Sequence, residues 1–227
     1  MVTTLNKSNT ELDEKNRWST TWECFLDALR LYGRPFKIDV CAEPPTAKVK
    51  RFMVSPEWFD NHRGYPIIFG DSNRKRNAIR IVGVDALCND WGNDFWCNPP
   101  FDLKLEFLTH LRSQIDKNYS GMMLLPYEPL TTWWLEYVAP YAECVYEPVG
   151  RYPFYETDGV TPKTSPNFGS VFVKFSPEGN NGSVLVPRIP FHRFKLSKKK
   201  AERAQQIVEL RNLLMKPKEV SKWLDAA

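Results

Sequence analysis

Residues 121–125 (GMMLL) limit the folds open to this chain more than any other segment. An unbroken apolar run of this kind is typical of a strand that is buried on both faces, and such strands occur in parallel sheets covered by helices on each side. A stretch at residues 103–115, with apolar residues at helical spacing, comes shortly before it. A helix followed by a doubly buried strand predicts an α/β fold.

Other segments extend this alternation of strands and helices. Apolar runs predict strands at residues 36–40, 79–85, 95–97, 144–148 and 169–175, and helical spacing predicts helices at residues 21–31, 131–138 and 198–214. In the first helix Thr20 and Glu23 have capping-box spacing, and Gly33 marks the end. In the helix at residues 103–115, Asp102 is predicted to cap the start and Leu105 to face inward. The order predicts a three-layer domain with a mostly parallel sheet.

The chain of 227 residues suits one domain. Residues 1–17 are a polar tail, residues 18–187 the main domain, and residues 188–227 a basic C-terminal helical extension. Prolines, aromatic and basic residues mix without period at residues 44–80, so residues 55–82 are predicted as an insertion or loop. Residues 150–166 are predicted as a second loop, rich in turns.

The composition excludes several classes of protein. Apolar residues make up 42% and charged residues 26% of the chain, the usual balance of a globular protein, and no apolar run is long enough to span a bilayer. The polar N-terminus lacks the hydrophobic segment of a secretory signal. Five cysteines without C-x-x-C spacing and three histidines predict neither a disulfide framework nor a metal site. We therefore expect a reduced, cytoplasmic protein that binds no metal.

Positive charge is concentrated in two segments. The formal net charge is +4, and residues 74–80 (RKRNAIR) and 188–203 (RIPFHRFKLSKKKAER) hold much of the excess. This distribution fits a surface that faces a polyanion such as a nucleic acid. Solvated helices and loops carry the same charges, so charge alone leaves both interpretations open.

Asn98, Pro99, Pro100 and Phe101 form the sharpest functional signal, because they directly follow the predicted strand at residues 95–97, where open α/β sheets bind ligands. An exocyclic amine conjugated to a ring is a poor nucleophile, and two acceptors on its N–H bonds would direct its lone pair at an electrophile. The Asn98 side-chain oxygen and the Pro99 carbonyl can supply these acceptors, since two prolines hold the backbone and remove competing donors. Phe101 offers a face on which an extruded base can stack.

The same four residues also fit a structural role, as a Pro-Pro turn that ends a strand and places Phe101 in the core. Their position between a predicted strand and a predicted helix favours the functional interpretation. Two further residues have open roles. Asp39, at the end of the first strand, can accept a hydrogen bond from a ligand ammonium or from a closing loop. Thr20 can cap a helix whose N-terminus also suits a carboxylate.

The tetrapeptide resembles the [DNS]-P-P-[YFW] motif of amino-methyltransferases, and a larger set of segments resembles the phage-type DNA N6-adenine methyltransferase (Dam) family. The matching segments follow the family's order: Trp18-Ser19-Thr20, residues 36–42 (FKIDVCA), 85–91 (DALCNDW), 95–101 (FWCNPPF), 123–126 (MLLP) with Thr131, Thr132 and Trp133, then Gly150-Arg151 and Gly169-Ser170-Val171. This chain departs from the family pattern at Thr21, where proline is usual, and at Phe101, where tyrosine is commoner. It has no G-x-G segment.

The resemblance implies a Rossmann-like methyltransferase fold with a mixed, mostly parallel sheet, flanking helices and one antiparallel edge hairpin. It implies a phage- or prophage-encoded enzyme that transfers a methyl group from S-adenosylmethionine to a flipped adenine in double-stranded DNA, in the host cell cytoplasm, to protect the DNA from restriction or to mark it. The catalytic residues are then Asn98, Pro99, Pro100 and Phe101. The cofactor-binding residues are Trp18, Ser19, Thr20, Asp39, Cys41, Ala42, Asp85 and Asn98. The expected DNA contacts, taken from the basic and aromatic segments, are Arg151, Tyr152, Lys163, Lys198, Lys199 and Lys200.

Four other functions remain open from the residues. A cytosine-N4 methyltransferase would use the same tetrapeptide, and an RNA adenine methyltransferase would differ only in substrate. A protein-glutamine methyltransferase carries a similar tetrapeptide but would be expected to show a glycine-rich loop. A DNA-binding protein with an inactive methyltransferase fold would bind DNA without turnover. The sequence shows no separate DNA-reading module, so base contacts are expected from loops.

Overall fold

The computed structural model describes residues 17–64, 68–69, 79–163, 168–179 and 185–194, together with residues 197, 199, 201–203 and 206. Nearly all of the predicted N-terminal tail and most of the predicted C-terminal helix lie outside the described residues. Residues 199, 201–203 and 206, from the first half of that predicted helix, are helical.

The strands, in chain order, are β1 (Ser19–Thr20), β2 (Ile38–Asp39), β3 (Arg51–Val54), β4 (Ile68–Phe69), β5 (Ile79–Val84), β6 (Phe95–Cys97), β7 (Gly121–Pro126), β8 (Ala142–Pro148), β9 (Phe154–Tyr155), β10 (Pro162–Lys163), β11 (Ser170–Phe175) and β12 (Arg188–Phe191). The helices are α1 (Trp22–Tyr32), α2 (Pro56–Asn61) and α3 (Lys104–Asp116). A π-helix covers Trp134–Val138, and 3₁₀ turns cover Ala86–Cys88 and Phe101–Leu103. Every strand predicted from an apolar run is present.

Nine strands form one sheet in the order β12-β8-β11-β7-β6-β2-β3-β5-β4. Neighbours are parallel except at β4, which lies antiparallel at one edge, and at β11, which lies antiparallel between β7 and β8. The predicted mixed, mostly parallel sheet is therefore confirmed. The antiparallel strand β11 lies inside the sheet rather than at its edge, because β8 and β12 continue the sheet beyond it.

Strand β7 shows why the sheet has helices on both faces. All six of its residues are buried. Met122 and Leu124 belong to the apolar cluster that includes α1, whereas Met123 and Leu125 belong to the cluster that includes α3. Successive side chains of a strand point to opposite faces, so an unbroken apolar run fills both layers.

Residues 44–80, predicted as an irregular segment, contain regular structure. Strand β3 lies between β2 and β5, with Phe52 opposite both Asp39 and Ile81. Helix α2 follows, and the Ser55 hydroxyl accepts a hydrogen bond from the Trp58 N–H over 3.0 Å. Serine at the N-cap before proline in the first turn is a helix-start signal that the irregular composition around it obscured.

Two other segments differ from their predictions. The sheet continues past residue 187, because β12 pairs in parallel with β8, with Ile189 opposite Tyr146. Residues 150–166 include the short strands β9 and β10, which form a three-stranded antiparallel sheet with β1. This second sheet holds the segment before α1 against the segment after β8, and thereby brings residues far apart in sequence to one place.

The starts of two helices also differ. Thr21, not Thr20, caps α1, since its hydroxyl accepts from the Cys24 N–H, while Thr20 pairs with Phe154 in the small sheet. Asp102 lies in a 3₁₀ turn and does not cap α3. Leu105 is 42% exposed rather than inward-facing. Gly33 ends α1 as predicted, with a φ of 80° that glycine adopts without strain.

No helix in the described part of the chain combines the length and the apolar character that a membrane crossing requires.

Candidate active site

A cavity of about 610 Å³ opens at the carboxyl ends of β2, β3, β5 and β6. Residues 17–20 complete its lining. Strands β2 and β6 are neighbours in the sheet. After β2 the chain continues to β3 on one side, and after β6 it continues to β7 on the other, so the strand order reverses between β2 and β6. Such a reversal is the usual ligand site of an open α/β sheet. All the residues predicted to bind the cofactor line it: Trp18, Ser19, Thr20, Asp39, Cys41, Ala42, Asp85 and Asn98.

Asn98 follows β6 directly and lines the cavity. Its amide nitrogen donates a hydrogen bond to the main-chain carbonyl of Trp18 over 3.4 Å. Its side-chain oxygen is buried and has no hydrogen-bond partner among the described residues. A buried polar atom without a partner costs about 1–3 kcal/mol. Such an atom in a cavity indicates a ligand that donates a hydrogen bond there.

Three other buried polar atoms have no partner among the described residues: Nε1 of Trp18, Oγ of Ser19 and Nε1 of Trp22. Trp18 and Ser19 line the cavity together with Asn98. An indole donor, a hydroxyl and an amide oxygen in one wall suit a ligand that carries both donors and acceptors.

Asp39 organises the loop that borders the cavity. One carboxylate oxygen accepts from the Cys41 N–H over 3.4 Å, and the other accepts from the Lys48 N–H over 3.0 Å. The residue is only 2% exposed. These contacts support the loop-holding interpretation of Asp39, since the carboxylate fixes the backbone that leaves β2.

Asp85, which follows β5, adopts a φ of 62°. Its carboxylate accepts from the Leu87 N–H over 3.0 Å and from the Cys88 thiol over 3.1 Å. A residue with a side chain rarely adopts this conformation, which costs energy and recurs at ligand sites. The strain turns the chain sharply at the cavity wall and places Asp85 in the lining.

Two residues of the tetrapeptide line the cavity, and the other two lie outside the lining. Asn98 and Pro100 line the cavity, whereas Pro99 is buried and is not part of the lining. The Pro100 carbonyl accepts from the Leu103 N–H over 3.1 Å. Phe101 also lies outside the lining, and its ring packs edge-on against Phe168 at 4.8 Å between centroids.

Two cysteines lie close together near this site: Cys41 lines the cavity, and Cys97 is the last residue of β6. The sulfur atoms of Cys41 and Cys97 are 3.8 Å apart. Burial raises the pKa of both thiols. Both therefore stay protonated at neutral pH, and neither has the character of a reactive nucleophile.

The residues predicted to contact DNA differ in their exposure and in their position. Tyr152 is a core residue and not a DNA contact: it is 1% exposed, and its hydroxyl donates to the buried carboxylate of Asp27. Arg151 and Lys199 are exposed. Lys163 lies over the Trp18 ring at 5.5 Å, close to the cavity wall. Lys198 and Lys200 lie outside the described residues.

Several lining residues were not predicted. Glu43 forms an ion pair with Arg17 over 2.8 Å, which links the loop after β2 to the segment before β1. Ser55 and Glu57, at the start of α2, and Thr157 also line the cavity. The helix-start signal at Ser55 is the one local pattern that could have located part of this set.

The parallel sheet, the cavity at its strand ends and the Asn-Pro-Pro-Phe segment after β6 define a Rossmann-like methyltransferase that acts on an exocyclic amine. The model of the DNA N-6-adenine-methyltransferase (Dam) family matches residues 70–218, and the chain belongs to this family. A DNA N-6-adenine-methyltransferase of Haemophilus phage HP1 (strain HP1c1) is 28% identical over 193 residues, which cover 84% of this chain and 96% of that relative.

Family membership confirms the predicted enzyme class and reaction, methyl transfer to N6 of adenine in DNA. The family match begins at residue 70, so it includes Asp85 and the Asn98 tetrapeptide but not the N-terminal wall of the cavity. The family match therefore does not cover Trp18, Ser19 and Asp39, and their proposed roles follow from their positions in the cavity lining.

Proposed function

We propose that the cavity binds S-adenosylmethionine and that Asn98 and Pro99 hold the N6 amine of an adenine extruded from double-stranded DNA. One observation carries this proposal: the Asn98 side-chain oxygen is buried and lacks a partner among the described residues. The N6 amine has two N–H bonds, and Asn98 can accept one of them. The main-chain carbonyl of Pro99 is the proposed acceptor of the second.

The donor set of the cavity fits S-adenosylmethionine. The Ser19 hydroxyl is buried without a partner among the described residues and belongs to a cavity-lining residue, so it suits the carboxylate of the methionine part. The carboxylates of Asp85 and Glu57, which line the same cavity, suit ribose hydroxyls. When bound, S-adenosylmethionine supplies a methyl group on a sulfonium, which is an electrophile for a nitrogen lone pair.

The chain's contribution to the reaction is to hold the amine. In free adenine the N6 lone pair is delocalised into the ring and is weakly nucleophilic. Acceptors fixed by the protein draw both N–H bonds to one side and direct the lone pair away from them. Because Pro99 and Pro100 restrict the backbone, the acceptors need no rearrangement in the transition state. The neutral thiols of Cys41 and Cys97 agree with direct transfer and no covalent intermediate.

Exposed cations provide the proposed contacts to DNA phosphates, which carry no sequence information. Arg151 lies at the carboxyl end of β8, and Arg193, after β12, donates a hydrogen bond to the Arg151 carbonyl. Arg193 was not among the predicted DNA contacts, although it lies in the basic segment at residues 188–203. Lys199 is the remaining exposed cation of the proposed set. Lys163, which was also predicted, is only 26% exposed and pairs with Glu156 over 3.1 Å, so it would have to leave this ion pair to reach a phosphate.

The reaction is tested with purified protein, DNA and S-adenosylmethionine that carries a labelled methyl group. We expect the label in N6-methyldeoxyadenosine after digestion to nucleosides. 2-Aminopurine at the target position should become more fluorescent on binding, because an extruded base is unstacked. Label in cytosine, or no rise in fluorescence, would contradict the proposal. Long-read mapping of DNA from cells that express the chain would give the recognition sequence and test action on DNA in the cytoplasm.

Binding in the cavity is tested with Ser19→Ala, which removes a hydroxyl that has no partner in the described protein. We expect weaker S-adenosylmethionine binding by calorimetry and an unchanged thermal midpoint. Ser113→Ala is the matched control, since that hydroxyl donates to the His110 carbonyl within α3, outside the cavity lining. Equal S-adenosylmethionine affinity in both variants would remove Ser19 from the site.

A further inference from the structure

Leu130 is the most exposed large apolar side chain among the described residues, at 94%. Other apolar residues near this edge of the sheet are better covered: Leu103 and Leu105 are each 42% exposed. A fully exposed leucine gains nothing from the hydrophobic effect in the free protein. Single exposed leucines are common on protein surfaces, so the place of Leu130 in the fold decides what it can do.

The turn that carries Leu130 is held firmly. Leu130 follows Pro129 at the tip of a tight turn, in which the Glu128 carbonyl accepts from the Thr131 N–H over 3.0 Å and from the Thr131 hydroxyl over 2.7 Å. The Glu128 carboxylate accepts from the Trp133 indole N–H over 2.8 Å. A side chain on such a turn loses little backbone entropy when it inserts into a partner.

The turn lies beside the catalytic tetrapeptide. It follows β7, which is the parallel neighbour of β6, with Cys97 opposite Met123. Leu130 and Asn98 therefore both project beyond the same edge of the sheet. The first residue of α3, Lys104, lies 5.4 Å from the ring of Trp133, which joins the helix after the tetrapeptide to the turn.

We propose that Leu130 is a positioning residue that inserts into the base stack of duplex DNA at the site left by the extruded adenine. This inference rests on the proposed base extrusion. Apolar side chains such as leucine commonly enter unstacked base steps in protein–DNA complexes. Insertion here would cover the exposed leucine and would stabilise the open duplex, so Leu130 assists extrusion without touching the reacting atoms.

The test compares Leu130→Ala with wild type on two duplexes. In one duplex the target adenine is paired with thymine, and in the other it faces an abasic site. Extrusion from the second duplex costs less. We expect Leu130→Ala to lower kcat/KM by roughly tenfold or more on the paired duplex and to recover most of that loss on the abasic duplex. Leu130→Phe should retain most activity on both, because it preserves an apolar wedge.

Leu185→Ala is the matched control. Leu185 is 80% exposed but lies three residues before β12, at the amino end of that strand, whereas Leu130 lies beyond the carboxyl end of β7. It should match wild type on both duplexes. For Leu130→Ala, an equal loss on the two duplexes, or no loss, would overturn the proposal. The wild-type 2-aminopurine signal tests extrusion itself, so a failure of the proposed function is distinguishable from a failure of the Leu130 role.

Discussion

The buried polar groups at the two ends of β6 differ in their hydrogen bonding. At the amino end, the Asp94 carboxylate is 2.5 Å from Arg34 and 2.7 Å from Lys37, and it accepts from the Tyr32 hydroxyl over 2.9 Å. At the carboxyl end, the Asn98 oxygen is buried without a partner among the described residues. Only three strand residues separate these two environments.

This difference separates a group that stabilises the fold from a group that serves a ligand. A buried carboxylate with three partners contributes to stability, whereas a buried unpaired amide oxygen costs about 1–3 kcal/mol until a donor arrives. The contacts of Asp94 at the amino end can therefore stabilise β6 and keep the unpaired Asn98 oxygen at its carboxyl end in position. Variants at the two ends should affect different measurements.

Asn98→Ala should have the largest effect on turnover. It removes an acceptor that acts on the amine in the transition state. The activation free energy should therefore rise by roughly 2.7–4 kcal/mol, which lowers kcat about a hundredfold to a thousandfold. The thermal midpoint should change little, because the substitution removes an unpaired buried oxygen and, at the same time, the hydrogen bond from the Asn98 amide nitrogen to the Trp18 carbonyl. Single-turnover kinetics and thermal unfolding measure the two quantities.

Asn93→Ala supplies the contrast at the amino end, where the Asn93 side-chain oxygen accepts from the Ser120 N–H over 2.9 Å. That variant should lose stability and keep its turnover per folded molecule. Near wild-type turnover in Asn98→Ala would contradict the proposed role of its oxygen.

Asp94→Asn should have the next largest effect, on stability rather than turnover. Burial acts to raise the pKa of Asp94, but the hydrogen bonds from Lys37 and Tyr32 and the charge of Arg34 outweigh it and lower the pKa. We expect a loss of about 1–3 kcal/mol at neutral pH, below the range for a fully buried pair, because the Arg34 and Lys37 side chains are 51% and 63% exposed and solvent screens them.

The pH dependence of the Asp94 effect follows from the direction of its shift. Since the folded-state pKa lies below the unfolded value of about 4, the contribution is complete above that value and is lost as pH falls through the folded pKa. The stability difference between wild type and Asp94→Asn should therefore shrink in acid. Urea unfolding from pH 7 down to pH 3 measures it, and a difference that stays constant would show that the charge of Asp94 is not its cause.

The carboxyl end of β6 was predictable because its signal is local. Three apolar residues, then Asn98 and two prolines before a helical stretch, predict a strand, a turn and a candidate ligand site without reference to the rest of the chain. The central strand β7 was predictable for the same reason. An uninterrupted apolar run encodes burial on both faces by itself.

The parts that were missed depend on contacts distant in sequence. Tyr152 lies among cations and aromatic residues in the sequence, yet the residue that binds its hydroxyl, Asp27, is 125 positions away. Strand β3 has four residues, and only the pairing with β2 and β5 shows that it lies inside the sheet. The unpaired state of the Asn98 oxygen is likewise a property of packing, which no spacing pattern reports.

Asp39→Asn tests an intermediate case, because Asp39 lies at the cavity edge but is paired. Hydrogen bonds to a charged acceptor contribute more than neutral ones, so we expect a stability loss of about 1 kcal/mol. S-adenosylmethionine affinity should fall as well, by roughly tenfold, since the loop from Cys41 to Lys48 loses its anchor. Calorimetric titration measures this affinity.

Asp27→Asn is the matched control for Asp39→Asn. Asp27 is a fully buried carboxylate outside the cavity lining, and it accepts from the Phe194 N–H over 2.9 Å. It should lose stability with no change in S-adenosylmethionine affinity. If Asp39→Asn behaved in the same way, its role would be limited to the fold.

Lys199→Gln should have the smallest effect, and it extends the comparison to the surface. Lys199 is exposed, so a contact with a DNA phosphate would contribute through counterion release, and its loss should make the slope of log affinity against log salt shallower by roughly 0.9. Affinity for specific and unrelated duplexes should fall alike, and the methylated sequence should not change. Lys117→Gln is the control, because Lys117 follows α3 at the amino edge of the sheet and pairs with Asp90. If both variants kept the wild-type slope, Lys199 would be solvated surface, and Arg151 with Arg193 would become the leading phosphate contacts.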